Sequence, residues 1–265
     1  MKIKFYIVTY NNDKVLNEWL LKSINESNFN TEDIKFYIIN NYSDSLNIDE
    51  KYKHLISYTY HNTLRPDFST GHLARSWNQA IINGFKDLNN PDCDLVITCQ
   101  NDTILKKDWF NFIQNAMIKY NFCSFGKGDQ FLVFKPESIK KVGLFDERFC
   151  NIGYQEGDFF LRNLLFNENC SINDFIHDRT FNIINGTPIE ETQTGFQRGE
   201  KYHLESFVYH EYSELFFKEK WSCDSNHWGD SLNHKQKILN SKAPFVKMWI
   251  MYPYFEKNID QRVCK

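Results

Sequence analysis

The sequence predicts an α/β protein: an open, mostly parallel, Rossmann-like central sheet flanked by helices, with a helical C-terminal extension. Three observations carry this. Residues 2–9, 34–39 and 94–99 are short apolar runs rich in β-branched and aromatic residues, as expected of strands buried on both faces. Amphipathic segments with helical spacing separate them. Each run ends in a polar cluster, and open α/β sheets bind ligands at such strand ends.

The elements follow in order. The first strand is broken by Tyr10-Asn11-Asn12-Asp13, and Asp13 is a good N-cap for a helix over 14–26. There Val15, Trp19, Leu20 and Ile24 share one face. The strand over 34–39 ends in Asn40-Asn41-Tyr42-Ser43-Asp44-Ser45 and completes a βαβ unit. A third strand is expected over 55–60, then a loop over 63–71 and a helix over 73–85. The strand over 94–99 runs into Gln100-Asn101-Asp102-Thr103. Beyond it come a helix over 109–120, short strands over 122–125 and 130–134, and a short helix opened by Pro136. The segment Tyr154-Gln155-Glu156-Gly157-Asp158 begins a helix running to about Phe166. A strand over 172–176 delivers His177, and residues 185–198 read as a polar loop. Residues 202–220 and the tail from 231 read as helical, so the boundary falls near 200, with domains 1–200 and 201–265.

Composition narrows the function. The 265 residues are 42% hydrophobic and 17% aromatic, ample for a sizeable core. Net charge is −3, and lysine and arginine are dispersed, which argues against nucleic acid as a partner. The seven cysteines form no C-x-x-C pair and read as reduced thiols, consistent with a cytoplasmic location. No secretory signal is visible, and the apolar run 245–255 is too short for a transmembrane segment. Neither G-x-G-x-x-G nor G-x-x-x-x-G-K-[ST] occurs, which counts against dinucleotide enzymes and P-loop NTPases. A bound diphosphate would then be neutralised another way, by a divalent ion on Asp102. On local pattern alone Asp102 serves equally as a turn cap.

The ordered motifs resemble the inverting, family 2-type glycosyltransferases of GT-A fold. They are Val8-Thr9-Tyr10-Asn11, Ile39-Asn40-Asn41-Tyr42-Ser43, Gln100-Asn101-Asp102-Thr103, and Val142 to Phe149 followed by Tyr154 to Asp158 and Arg162. The resemblance implies a hexosyl or deoxyhexosyl transfer from a nucleotide-diphosphate sugar to a saccharide hydroxyl. It makes Glu156 the general base, and gives donor contacts to Thr9, Asn11, Asn40, Asp44, Arg75, Asn78, Asn101 and Asp102. It also implies that Asp158 contacts the acceptor or else orients a loop, with Arg162 placed to pair with it structurally, and that a Mn²⁺ or Mg²⁺ is held by Asp102 and His177. Gln100 replaces the first acid of the D-x-D motif, and Asn40 stands where an aspartate often contacts the base. The element Phe216 to Trp221 resembles an F-x-x-K-W segment, expected to pack. A homodimer is compatible with the tail. Two alternatives share the features read here: a nucleotide-sugar-binding protein without transferase activity, and a sugar nucleotidyltransferase. The latter ordinarily carries a Gly-rich basic signature after the first strand, which Tyr10-Asn11-Asn12-Asp13 lacks.

Overall fold

The computed structural model describes residues 1–30, 32–41, 45–62, 72–126, 128–149, 153–174, 179–182, 184–192 and 211–221. Among them are the strands β1 (Ile3–Thr9), β2 (Ile34–Asn40), β3 (Ile56–His61), β4 (Leu95–Gln100) and β5 (Thr103–Leu105). β6 (Phe122–Phe125), β7 (Phe131–Phe134), β8 (Cys170–Asp174), β9 (Arg179–Phe181) and β10 (Ile189–Thr192) follow. Eight of them form one sheet in the order β3-β2-β1-β4-β7-β6-β8-β9. The β3-β2-β1-β4 half is parallel throughout. β7 runs antiparallel to both neighbours, β6 and β8 are parallel, and β9 is antiparallel to β8. The sheet is therefore mixed, with β7 and β9 reversed. Helices cover residues 13–25, His72–Phe85, Trp109–Lys119, Pro136–Val142, Tyr154–Phe166 and 211–221.

Side-chain alternation along the apolar strands builds two cores, one on each face. Ile3, Phe5 and Ile7 of β1, Ile34, Phe36 and Ile38 of β2, and Leu95, Ile97 and Cys99 of β4 join one cluster. Leu16, Leu20 and Leu21, with Trp109 and Ile113, cover that face. Tyr6 and Val8, Ile39, and Val96 join the other cluster, under Trp77 and Ile81 and under Phe159 and Phe160. Burial on both faces is why these strands read as continuous apolar runs. At Gly84 the His72–Phe85 helix touches the sheet: an added Cβ would collide with Val96 Cγ2 and meet the Tyr6 ring at 3.5 Å. Gly84→Ala is expected to lower stability by about 1–3 kcal/mol through overpacking, although alanine is the better helix former. A urea titration that found the variant more stable would contradict this close approach.

Three features depart from the sequence reading. Within the segment expected to be a loop, β10 pairs antiparallel with β5, with Ile189 opposite Leu105. Strands of three and four residues are too short to show a period, and their pairing is long-range. A 3-10 turn at Glu50–Leu55 precedes β3. Helix 211–221 lies beyond the boundary expected at 200, yet Phe217 and Trp221 are fully buried in the same core as Phe149 and Tyr154. The first domain's core thus takes in this helix. Asp44, His177, the 245–255 run and the rest of the C-terminal extension lie outside the described residues. Cys93, Cys99, Cys123 and Cys170 are buried free thiols. Burial pushes the Cys93 thiol up to about 12, which suits packing rather than nucleophilic chemistry. No helix among the described residues is long and apolar enough to cross a membrane.

Candidate functional site

Parallel register brings the polar ends of three strands to one edge. Thr9 lies opposite Asn40, and Val8 lies opposite Gln100. The backbone continues the register past the strands: Asn41 N–H donates to Thr9 O at 3.0 Å, and Asn101 N–H to Val8 O at 3.2 Å. The Asn101 amide donates to Thr9 Oγ1 at 2.9 Å and reaches Asn12 O at 3.4 Å. Asn11 is exposed at the turn with φ 44°, a left-handed conformation that asparagine tolerates. Asn40 is buried, with its amide nitrogen 3.3 Å from both Ser45 O and His61 Nδ1. Beside it, Asn41 donates to Ser76 Oγ at 2.8 Å and accepts from Asn62 at 2.9 Å. Asn62 also donates to Gln79 Oε1 at 2.8 Å. This network ties β2 and β3 to the first turns of the His72–Phe85 helix, and Asn41 was not among the expected site residues.

Gln100 has a different task from the motif position it occupies. Residue 100 shares a face with Val96 and Thr98, the face lying under Trp77. Its Nε2 donates to Asp129 Oδ1 at 2.8 Å. Asp129 Oδ2 accepts from Trp77 Nε1 at 2.6 Å and from Gln155 Nε2 at 3.1 Å. Asp129, itself buried, is the main residue that the sequence reading missed. The available signal was strand parity: it aims residue 100 into the protein, whereas Asp102 lies in the turn beyond the strand. Asp102 is partly buried there, ahead of β5.

Glu156 is buried at the start of the Tyr154–Phe166 helix. Its Oε2 accepts the Gly153 N–H at 2.7 Å, the acidic half of a capping box. A Cβ on Gly128, whose φ is 58°, would come within 2.8 Å of Glu156 Oε1. A side chain here would be strained by the backbone conformation and would displace the carboxylate, so glycine suits this turn best. Glu156 thus caps its helix and also presses against the 126–130 turn.

Asp158 pairs with Arg162, one of the two readings that the sequence offers. It is fully buried, and its oxygens are occupied from within the protein. Arg162 holds Oδ2 through Nε at 3.0 Å and NH2 at 2.9 Å. Lys220 Nζ lies 2.7 Å from Oδ1, and Trp221 Nε1 donates to the same oxygen at 2.9 Å. These contacts tie the carboxylate into the interior. Lys220 also pairs with Asp146 Oδ2 at 2.7 Å, and Arg148 holds the same oxygen at 2.6 Å. The F-x-x-K-W element therefore supplies charge as well as packing.

Arg75 lies in the first turn of the His72–Phe85 helix and Asn78 near its middle. The Asn78 amide is used by the protein: Oδ1 accepts Phe145 N–H at 2.8 Å, and Nδ2 donates to Phe145 O at 2.9 Å and Glu147 Oε1 at 2.7 Å. These bonds tie the helix to the turn that carries Phe145 and Glu147. Arg75 is half-buried, and its NH2 has no hydrogen-bond partner among the described residues. Burial raises the Glu147 pKa, while the Asn78 hydrogen bond and the Arg75 charge oppose that rise.

With this geometry in hand, solved structures can be compared. The S. aureus TarS 1-349 crystal structure aligns at TM-score 0.52 and 12% identity, over 96% of this chain and 73% of that one. The fold is GT-A-like. The same protein in complex with UDP aligns at TM-score 0.51 and 13% identity, over 96% of this chain and 73% of that one. Its complex with UDP-GlcNAc aligns at 0.52 and 12%, over 91% and 71%. At such identity the likeness is one of fold. No family model and no curated protein matches the chain in sequence.

Proposed function

We propose that the chain is a glycosyltransferase that moves a sugar from a nucleotide-diphosphate donor to a saccharide hydroxyl, with inversion at the anomeric carbon. The observation that carries this is the convergence of Thr9, Asn40, Asn101 and Asp102 on one edge of a GT-A-like sheet, beside the turn against which Glu156 packs. The reported UDP and UDP-GlcNAc complexes of a protein of similar fold support the donor class. Asn40 and Asn11 serve the base and ribose, and Asp44 joins them. Arg75, whose NH2 is unmet among the described residues, suits an anionic group of the nucleotide sugar. Glu156 takes the proton from the acceptor hydroxyl as its oxygen attacks the anomeric carbon.

Among the described residues, no group of three His, Cys, Asp or Glu side chains could hold a metal by itself. A Mg²⁺ or Mn²⁺ that arrives with a diphosphate needs only one or two protein carboxylates, and Asp102 meets that requirement. His177 would be its second ligand. Such an ion stabilises charge on the leaving diphosphate.

Asp102→Ala is expected to weaken UDP binding in the presence of Mn²⁺ by about tenfold or more, the scale of one lost charged contact. Calorimetry with and without Mn²⁺ checks this; unchanged affinity in both conditions would remove Asp102 from the donor site. One observation favours a second reading. With Gln100 committed to Asp129, Asp102 is the one carboxylate of the motif, as in a protein that binds nucleotide sugars without turning them over. Donor hydrolysis or transfer by the wild-type chain excludes it.

A further inference from the structure

We propose that Asp129 is a positioning residue that holds the donor edge and the general-base helix in one register. The inference rests on the glycosyltransferase reading. Three parts of the site meet on this carboxylate. Gln100, two residues before Asp102, donates to Oδ1 at 2.8 Å. Gln155, the neighbour of Glu156, donates to Oδ2 at 3.1 Å, and Trp77 of the His72–Phe85 helix donates to the same oxygen at 2.6 Å. Backbone pairing fixes the approach, because Gln100 N–H donates to Gln130 O at 2.9 Å. On the other side of Asp129, Gly128 abuts Glu156 Oε1. All three donors are neutral amide or indole N–H groups, and Asp129, Gln155 and Trp77 are almost wholly buried.

This arrangement explains why an amide stands at position 100. An acid there would face Asp129 Oδ1 across a hydrogen-bond distance, carboxylate against carboxylate. The acid of the pair is supplied from the 126–130 turn, and the strand supplies the donor. Restoring an acid to the first D-x-D position should therefore damage the site, and exchanging the two groups should repair it. In the exchanged pair the new amide at 129 donates to the new carboxylate at 100. Its carbonyl oxygen takes over the position of Oδ2 and still accepts from Trp77 and Gln155.

The test compares the 265-residue wild-type chain with Gln100→Glu, which keeps the length of the side chain, Asp129→Asn and the double exchange, below the melting point of all four. Melting temperature, UDP affinity with Mn²⁺, and hydrolysis of UDP-GlcNAc as the donor probe are measured. Gln100→Glu is expected to weaken UDP binding about tenfold or more and to slow hydrolysis, and the exchange to return both to within about threefold of wild type. An exchange no better than Gln100→Glu alone, or a Gln100→Glu chain that binds UDP as tightly as wild type, would overturn the proposal. A wild-type chain that binds none of UDP, GDP and dTDP would instead overturn the functional reading. The four melting temperatures would still decide whether residues 100 and 129 form the pair described.

Discussion

Glu156→Gln is expected to reduce sugar transfer by about 10²–10⁴-fold, the usual contribution of a positioned general base, while leaving UDP affinity unchanged. The geometry makes this substitution unusually clean. The amide oxygen can still accept the Gly153 N–H that now reaches Oε2 at 2.7 Å, so the helix cap survives. The volume beside Gly128 is also preserved, and the melting temperature should move little. What the amide cannot do is take a proton. Single-turnover transfer measured beside UDP titration separates the two roles, and near-normal turnover would restrict Glu156 to capping. Glu156→Ala is a poorer probe, since it removes the cap and the base together.

Lys220→Met should produce the largest loss of stability, about 3–5 kcal/mol, because it removes one partner of a buried ion cluster and leaves charge uncompensated. The Lys220 side chain is fully buried and lies 2.7 Å from both Asp146 and Asp158. Lys220→Arg keeps the charge but changes its shape, and is expected to recover only part of the loss. Equilibrium urea unfolding measures both. A Met variant as stable as wild type would show that the cluster contributes no net stability. Acid should act on the same cluster. Burial opposes ionisation of Asp146, but the Lys220 ammonium outweighs it, with Arg148 adding to the effect, and the carboxyl is held well below its ordinary range. A depressed folded-state pKa contributes stability that is fully present above the unfolded value. That stability is lost as pH falls from about 4 toward the folded value. Wild type should lose stability over that interval more steeply than a variant with Asp146 replaced by Asn.

Much of the fold was legible because the central strands are buried on both faces, and their apolar runs mark themselves. The strands ending at Thr9, Asn40 and Gln100 and the helices between them follow from that pattern. The short partners β5 and β10 do not, since pairing at such length depends on neighbours remote in sequence. The candidate site divides in the same way. As candidates only, Asp102 and Glu156 were legible from strand ends and motif order. Asp129 was not, because nothing local distinguishes a buried hydrogen-bond acceptor from an ordinary turn aspartate next to glycine. Asp158 was legible in part: its pair with Arg162 follows from i,i+4 spacing on one helix, whereas its contacts with Lys220 and Trp221 are long-range. Asn78 likewise follows its hydrogen bonds to Phe145, which sequence spacing alone does not reveal.

The ion cluster also bears on the order in which the chain can mature during synthesis. Domains fold as units while the chain emerges from its N-terminus. Asp146 precedes its buried partner Lys220 by 74 residues, and Asp158 precedes Trp221 by 63. Until that late segment arrives, Asp146 and Asp158 lack the Lys220 charge, and Asp158 lacks the Trp221 hydrogen bond. The parallel half of the sheet can be built early. The Tyr154–Phe166 helix completes these buried contacts only once residue 221 has emerged, so premature termination before residue 220 should leave that helix unsupported while the parallel strands are already in place.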